Sequence, residues 1–183
     1  HSDKKLRSTV IAYAVGREIT HVMVWGATPI ALLAGVPAVF IGFAWAVNSM
    51  AGLVGTLLAR RYGRRMPEWL QFASFSVFVL ASLCVLSFHL SLATIWLYAC
   101  MGLGQGWSGV VLGSLMARHT PANRMSIVSS SAGTLAQLMY VPLVVIIGWT
   151  GSFDIRLTMM AIVVIFCPLI IFTARSLKRN LSR

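Results

Sequence analysis

Acidic side chains are scarce in this chain: four Asp and Glu stand against fifteen Lys and Arg in 183 residues, and charged residues of both signs make up only 10%. A water-soluble domain carries about 25% charged residues, so an ordinary soluble surface is excluded. Cysteine is equally sparse. Cys84, Cys100 and Cys167 all lie inside apolar stretches, which argues against a disulfide framework and against metal-ligand spacing. Neither a metal nor a cofactor is expected. The alternating pattern of a lipid-facing barrel strand is missing too, which leaves helices as the backbone form that satisfies itself in lipid.

What the chain does have is apolar surface, with 58% hydrophobic residues and a mean hydropathy of +0.83. Windows of about 19 residues predict six membrane helices, over residues 9–33, 36–59, 67–88, 92–117, 125–149 and 156–174. The expected fold is all-α, a single six-helix transmembrane domain over residues 1–183 whose main partner is the lipid bilayer. A net charge of +11 raises the question of nucleic acid. No basic helix face or aromatic-studded polar strand accompanies it, so no nucleic-acid partner is expected.

The positive charges instead mark alternate connections. Lys4, Lys5 and Arg7 precede the first span, Arg60, Arg61, Arg64 and Arg65 follow the second, Arg118 and Arg124 flank the fourth connection, and Arg175, Lys178, Arg179 and Arg183 close the chain. The intervening connections hold only His89 and the offsetting Asp154 and Arg156. Because Lys and Arg collect on the cytoplasmic side, both termini are expected inside, in a bacterial inner membrane. Short connections make consecutive helices antiparallel neighbours. Gly102 and Gly106, Gly109 and Gly113, and Ser129 and Gly133 each stand four apart, a spacing that lets helix backbones approach. Pro29, Pro142 and Pro168 are expected to kink their spans.

The stretch GTLLARRYGRR, residues 55–65, resembles the cytoplasmic signature of the major facilitator superfamily, with Ala59, Arg61, Gly63, Arg64 and Arg65 matching. Thr56 stands where that pattern has Gly, and Arg60 replaces its acid. The segment from His119 to Tyr140 is similar to the family's connection into its eleventh helix, and ATPIALLAG with NSMAGLVG looks like its seventh and eighth. The resemblance implies the C-terminal six-helix half of a secondary transporter, two inverted three-helix repeats rocking against a missing N-terminal half. The first residue is His1 rather than Met, and an upstream segment is accordingly expected. The first, second, fourth and fifth spans would then face the cavity, and the third and sixth the lipid.

Within the first span, GREITH places Arg17, Glu18 and His21 in apolar surroundings. Each ionised group near a bilayer centre costs roughly 2.5–3.5 kcal/mol, so these need partners, water or a function. Glu18, His21 and Trp25 are expected on one wall; Glu18 and His21 suit proton coupling, and Arg17 suits an anionic substrate group. Snorkelling of Arg17 to lipid phosphates is the structural alternative. Asn48, Gln105, Trp107, Gln137 and Tyr140 are further cavity candidates, with interhelical hydrogen bonding as the competing role for each. The expected activity is movement of a small, amphipathic or drug-like solute by proton symport or antiport. No enzyme is expected. The alternatives are a six-span protein that does not transport, a half-size transporter pairing with a second copy, and a rhomboid-like serine protease with Ser108 of GWSG as nucleophile. That last reading lacks the sixth-span histidine it needs.

Overall fold

A computed structural model describes the backbone of residues 2–151 and 154–181, and the side chains of these except 2, 3, 22–27, 64, 95, 98–100, 150 and 151. The described chain is built from α1 (Ser2–Leu33), α2 (Ile41–Tyr62), α3 (Glu68–Phe88), α4 (Ile95–His119), α5 (Met125–Gly151) and α6 (Ile155–Leu181), with no strand among the described residues. Even α3, the shortest at 21 residues, reaches about 32 Å at 1.5 Å per residue. Four stretches among the described residues are both long and apolar enough to cross a membrane: Ala38–Tyr62, Glu68–Phe88, Ala122–Trp149 and Ile155–Leu181.

Local chemistry sets the helix ends. Gly35 adopts φ +90° and closes α1: its amide donates to the Leu32 carbonyl and the Val36 amide to Ala31, at 3.0 Å each. This left-handed cap favours glycine, and Pro37 then blocks continuation. A 3-10 turn over Ala38–Phe40 intervenes, so α2 starts at Ile41, later than the hydropathy boundary at 36. The same device opens α5, where Pro121 and the 3-10 turn Ala122–Arg124 lead into Met125. At the other end of α2, Arg60 and Arg61 belong to its last helical turn and only Gly63–Arg65 form the tight turn, so the basic motif is half helix and not wholly a loop.

Packing follows a regular exchange. α2 lies on α4 and α5 on α1; α3 lies on α4 and α6 on α1; α1 with α4 and α3 with α6 complete the scheme. The main contacts of the first three helices are thus answered by contacts of the last three, whereas α5 with α6 and α1 with α3 have no counterpart of similar extent. The core lies among α1, α3, α4 and α6, around Val15, Ile19, Phe72, Phe75, Met101, Leu115, Met159 and Phe166. Lipid-facing third and sixth spans are therefore only part of the picture, because α3 and α6 pack on each other and supply half of this core. In α3, 56% of the most apolar window is buried, against 11% in α2 and 17% in α5, which expose the widest faces. The serines of α3 stay dry by bonding their own helix, Ser76 to the Phe72 carbonyl and Ser82 to that of Phe78.

α2 and α4 approach backbone to backbone. A Cβ on Gly106 would overlap the Gly52 carbonyl oxygen, one on Gly102 the Asn48 carbonyl, and one on Gly55 the Leu103 carbonyl. The Thr56 hydroxyl adds a hydrogen bond to the Gly106 carbonyl at 3.3 Å. Gly109 and Gly113, by contrast, have nothing within 4 Å and carry no contact here. Gly106→Val is expected to destabilise the bundle by about 2 kcal/mol or more, whereas Gly109→Ala stays within about 0.5 kcal/mol of the parent. Thermal unfolding in detergent measures both, and equal effects would refute the close approach.

Candidate functional site

α1 distributes its side chains to three neighbours. Ala12, Val15 and Ile19 enter the core. Gly16 meets Leu112 of α4 and Phe75 of α3, where an added Cβ would stand 3.0 Å from a Leu112 methyl. One turn on, the Thr20 carbonyl accepts a hydrogen bond from Gln105 Nε2 of α4 at 3.3 Å. Arg17 and His21 turn to α5. The Arg17 Nη1 lies 3.7 Å from the Cβ position of Gly133, and the His21 ring is 6.5 Å from that of Tyr140, tilted by 59°.

Glu18 occupies the flank between core-facing Val15 and α5-facing His21. Its side chain is 0% exposed, and His21 Nδ1 lies 3.8 Å from its Oε1. Neither carboxylate oxygen has a hydrogen-bond partner among the described residues. An ionised carboxylate in that setting carries a desolvation cost of several kcal/mol, which a bound proton or a cation removes. His21, 43% exposed, connects this buried acid to the surface. Gly133, lacking a side chain, leaves room for the guanidinium beside α5.

An internal echo relates the position of Glu18 to the α2–α4 contact. In the register that matches Pro37 with Pro121 and Ile41 with Met125, Glu18 occupies the place that Gly102 holds in α4. Gly102 lets α4 close on α2, and the α1–α5 pair, with Glu18 at the matching position of α1, is the looser of the two. That echo is present in the sequence as VPAVFI and TPANRM, and reading it would have singled out Glu18 from its neighbours.

Of the sequence candidates, Arg17, Glu18, His21, Gln105 and Tyr140 come together around α1. Asn48 does not: it is buried at the α2–α4 contact, its carbonyl oxygen under Gly102. Gln137 is exposed on α5. Trp107 packs on the core with its indole Nε1 buried and unpartnered among the described residues. Trp25 and Arg64 lie outside the residues whose side chains are described. Of the basic motif, Gly63 is buried in the turn, Arg65 is exposed and Arg61 rests over the Tyr62 ring at 5.6 Å. Ser108 is buried and donates to the Gln105 carbonyl of its own helix at 2.8 Å.

A second charged cluster was not anticipated. Glu68, at the start of α3, accepts from Arg118 Nη1 at 3.2 Å and lies 2.8 Å from His119 Nε2, both at the end of α4. The antiparallel order of adjacent helices, together with an acid opening one and two basic groups closing the next, was the available signal. No group of three His, Cys, Asp or Glu fit to hold a metal occurs among the described residues.

Since Glu18 costs stability where it stands, Glu18→Met is expected to raise stability by on the order of 1 kcal/mol or more, read as a higher melting temperature in detergent. A fall of several degrees would mean that the carboxylate is structurally paired. No protein-family model, no curated protein and no solved structure matches this chain.

Proposed function

We propose that the chain is the six-helix half of a secondary transporter of the major facilitator type, coupling solute movement to a proton at Glu18. The observation that carries the reading is the fully buried Glu18 carboxylate without a hydrogen-bond partner, because intramembrane acids are retained where they bind an ion or proton. The exchange of contacts between the first and last three helices supports two inverted three-helix repeats. In this reading α1 and α4 cross the membrane with the other four helices. Their basic ends face the cytoplasm, so both termini lie there, in a bacterial inner membrane.

The chemistry runs through residues of one helix. Proton binding neutralises Glu18 and lets α5 settle against α1; proton loss leaves an anion that draws His21 or Arg17 toward it. His21, half-exposed beside the buried acid, passes the proton between Glu18 and a water-filled cavity. Arg17 attracts the anionic group of a small amphipathic solute, with Tyr140 offering an aromatic edge. The wide apolar faces of α2 and α5 suit an N-terminal half, or a second copy, packing over them. No observation favours a protease or another enzyme.

Two measurements test this. In proteoliposomes of the intact protein loaded with a pH-sensitive dye, a panel of amphipathic weak acids and zwitterions is expected to drive proton movement. Glu18→Gln lowers gradient-driven uptake by about tenfold or more, within the range of a lost proton-transfer group, while solute exchange continues. Unchanged proton dependence would remove Glu18 from the mechanism. Single cysteines placed at Tyr62 and Lys178 are expected to react with an impermeant thiol reagent from the same side of the membrane; labelling from opposite sides would overturn the topology.

A further inference from the structure

At the basic end of the bundle, the first turns of α1 and the last turns of α6 enclose a cavity of about 890 Å³. Four cations rim it: Lys4, Lys5 and Arg7 from α1 and Arg179 from α6. None of the four forms an ion pair among the described residues; Asp3, the acid near them in sequence, lies outside the described side chains. A polar network joins the two helices across the cavity. Ser8 Oγ stands 3.0 Å from Ser176 Oγ, and Asn180 Nδ2 donates to Ser8 at 2.7 Å and to Ser176 at 3.3 Å. Farther along the helices the lining turns apolar, with Ile11 and Phe172, and Phe172 is 64% exposed on the outer face of α6.

We infer that this cavity binds the phosphate headgroup of an anionic membrane lipid, with an acyl chain leaving along Phe172. Three features select that ligand. Clustered cations with no ion pair among the described residues favour an anion. The volume far exceeds that of a phosphate ion and falls in the range of ligand-sized pockets. The polar-to-apolar gradient runs along the helix axes, matching a molecule with a charged head and a hydrocarbon tail at the membrane interface. The reading depends on membrane embedding and stands apart from the transport mechanism, so either can fail alone.

Native mass spectrometry of the full chain, released from detergent containing phosphatidylglycerol or phosphatidylcholine, tests it. Phosphatidylglycerol is expected to remain bound and phosphatidylcholine to be lost. Arg7→Gln with Arg179→Gln weakens phosphatidylglycerol by roughly thirtyfold, from the contribution of two interfacial cations. Arg60→Gln with Arg65→Gln, equal in charge but away from the cavity, changes it by less than about threefold on the same scale. Ser176→Leu fills the space without altering charge and weakens binding as well; should the double arginine variant fail to fold by its melting curve, this variant decides. Equal losses in the two double-arginine variants, or no preference over phosphatidylcholine, would overturn the site. Displacement of phosphatidylglycerol by millimolar inorganic phosphate would mark a free-anion site instead and overturn the lipid assignment.

Discussion

Helices that pack in lipid gain nothing from burying apolar surface against one another, so they must be held by close backbone approach. In this bundle that constraint is met at Gly102 and Gly106, where α4 touches the carbonyls of Asn48 and Gly52 on α2. The parallel α2–α4 pair is the tightest in the molecule, and the rest of the packing extends from it through α3 and α1. A side chain larger than hydrogen at either glycine would push the pair apart and loosen everything that α4 joins.

The helices themselves were legible in the sequence, because long apolar runs and alternating basic connections leave few other arrangements. Their ends were less so. Hydropathy does not distinguish Val36–Phe40 from a helix, and only the left-handed Gly35 followed by Pro37 stops the chain there. Arg60 and Arg61 look like loop residues by charge, yet their backbone continues the α2 ladder. Spacing alone also overcounted glycine contacts: Gly109 and Gly113 share the interval of Gly102 and Gly106 but fall where α4 has no neighbour within reach. A four-residue repeat reports a helix face, whereas the partner of that face depends on tertiary placement. For the same reason sequence places Asn48 mid-helix without showing that it is buried at the α2–α4 contact, and Glu68 was overlooked because its partners lie on another helix.

Two of the four acids serve helix ends. Asp154 accepts the Arg156 amide at 2.9 Å and so caps the entry to α6. Glu68 ties the start of α3 to the end of α4. These two sit at helix ends, where water and opposite charge are at hand. Glu18 lies within a helix, fully buried, and neither of its oxygens has a hydrogen-bond partner among the described residues.

The position of Glu18 also separates the two parallel pairs. α2 and α4 are locked by glycine, so this contact does not adjust without losing the bundle. In the matching register Glu18 of α1 stands where α4 has Gly102, and α1 and α5 pack less closely than α2 and α4. A neutral acid tolerates apolar neighbours, whereas an anion favours Arg17, His21 or water beside it. In the proposed transport reading, one rigid pair beside a helix that carries a titratable acid would form a two-state element of the kind that converts proton occupancy into helix displacement.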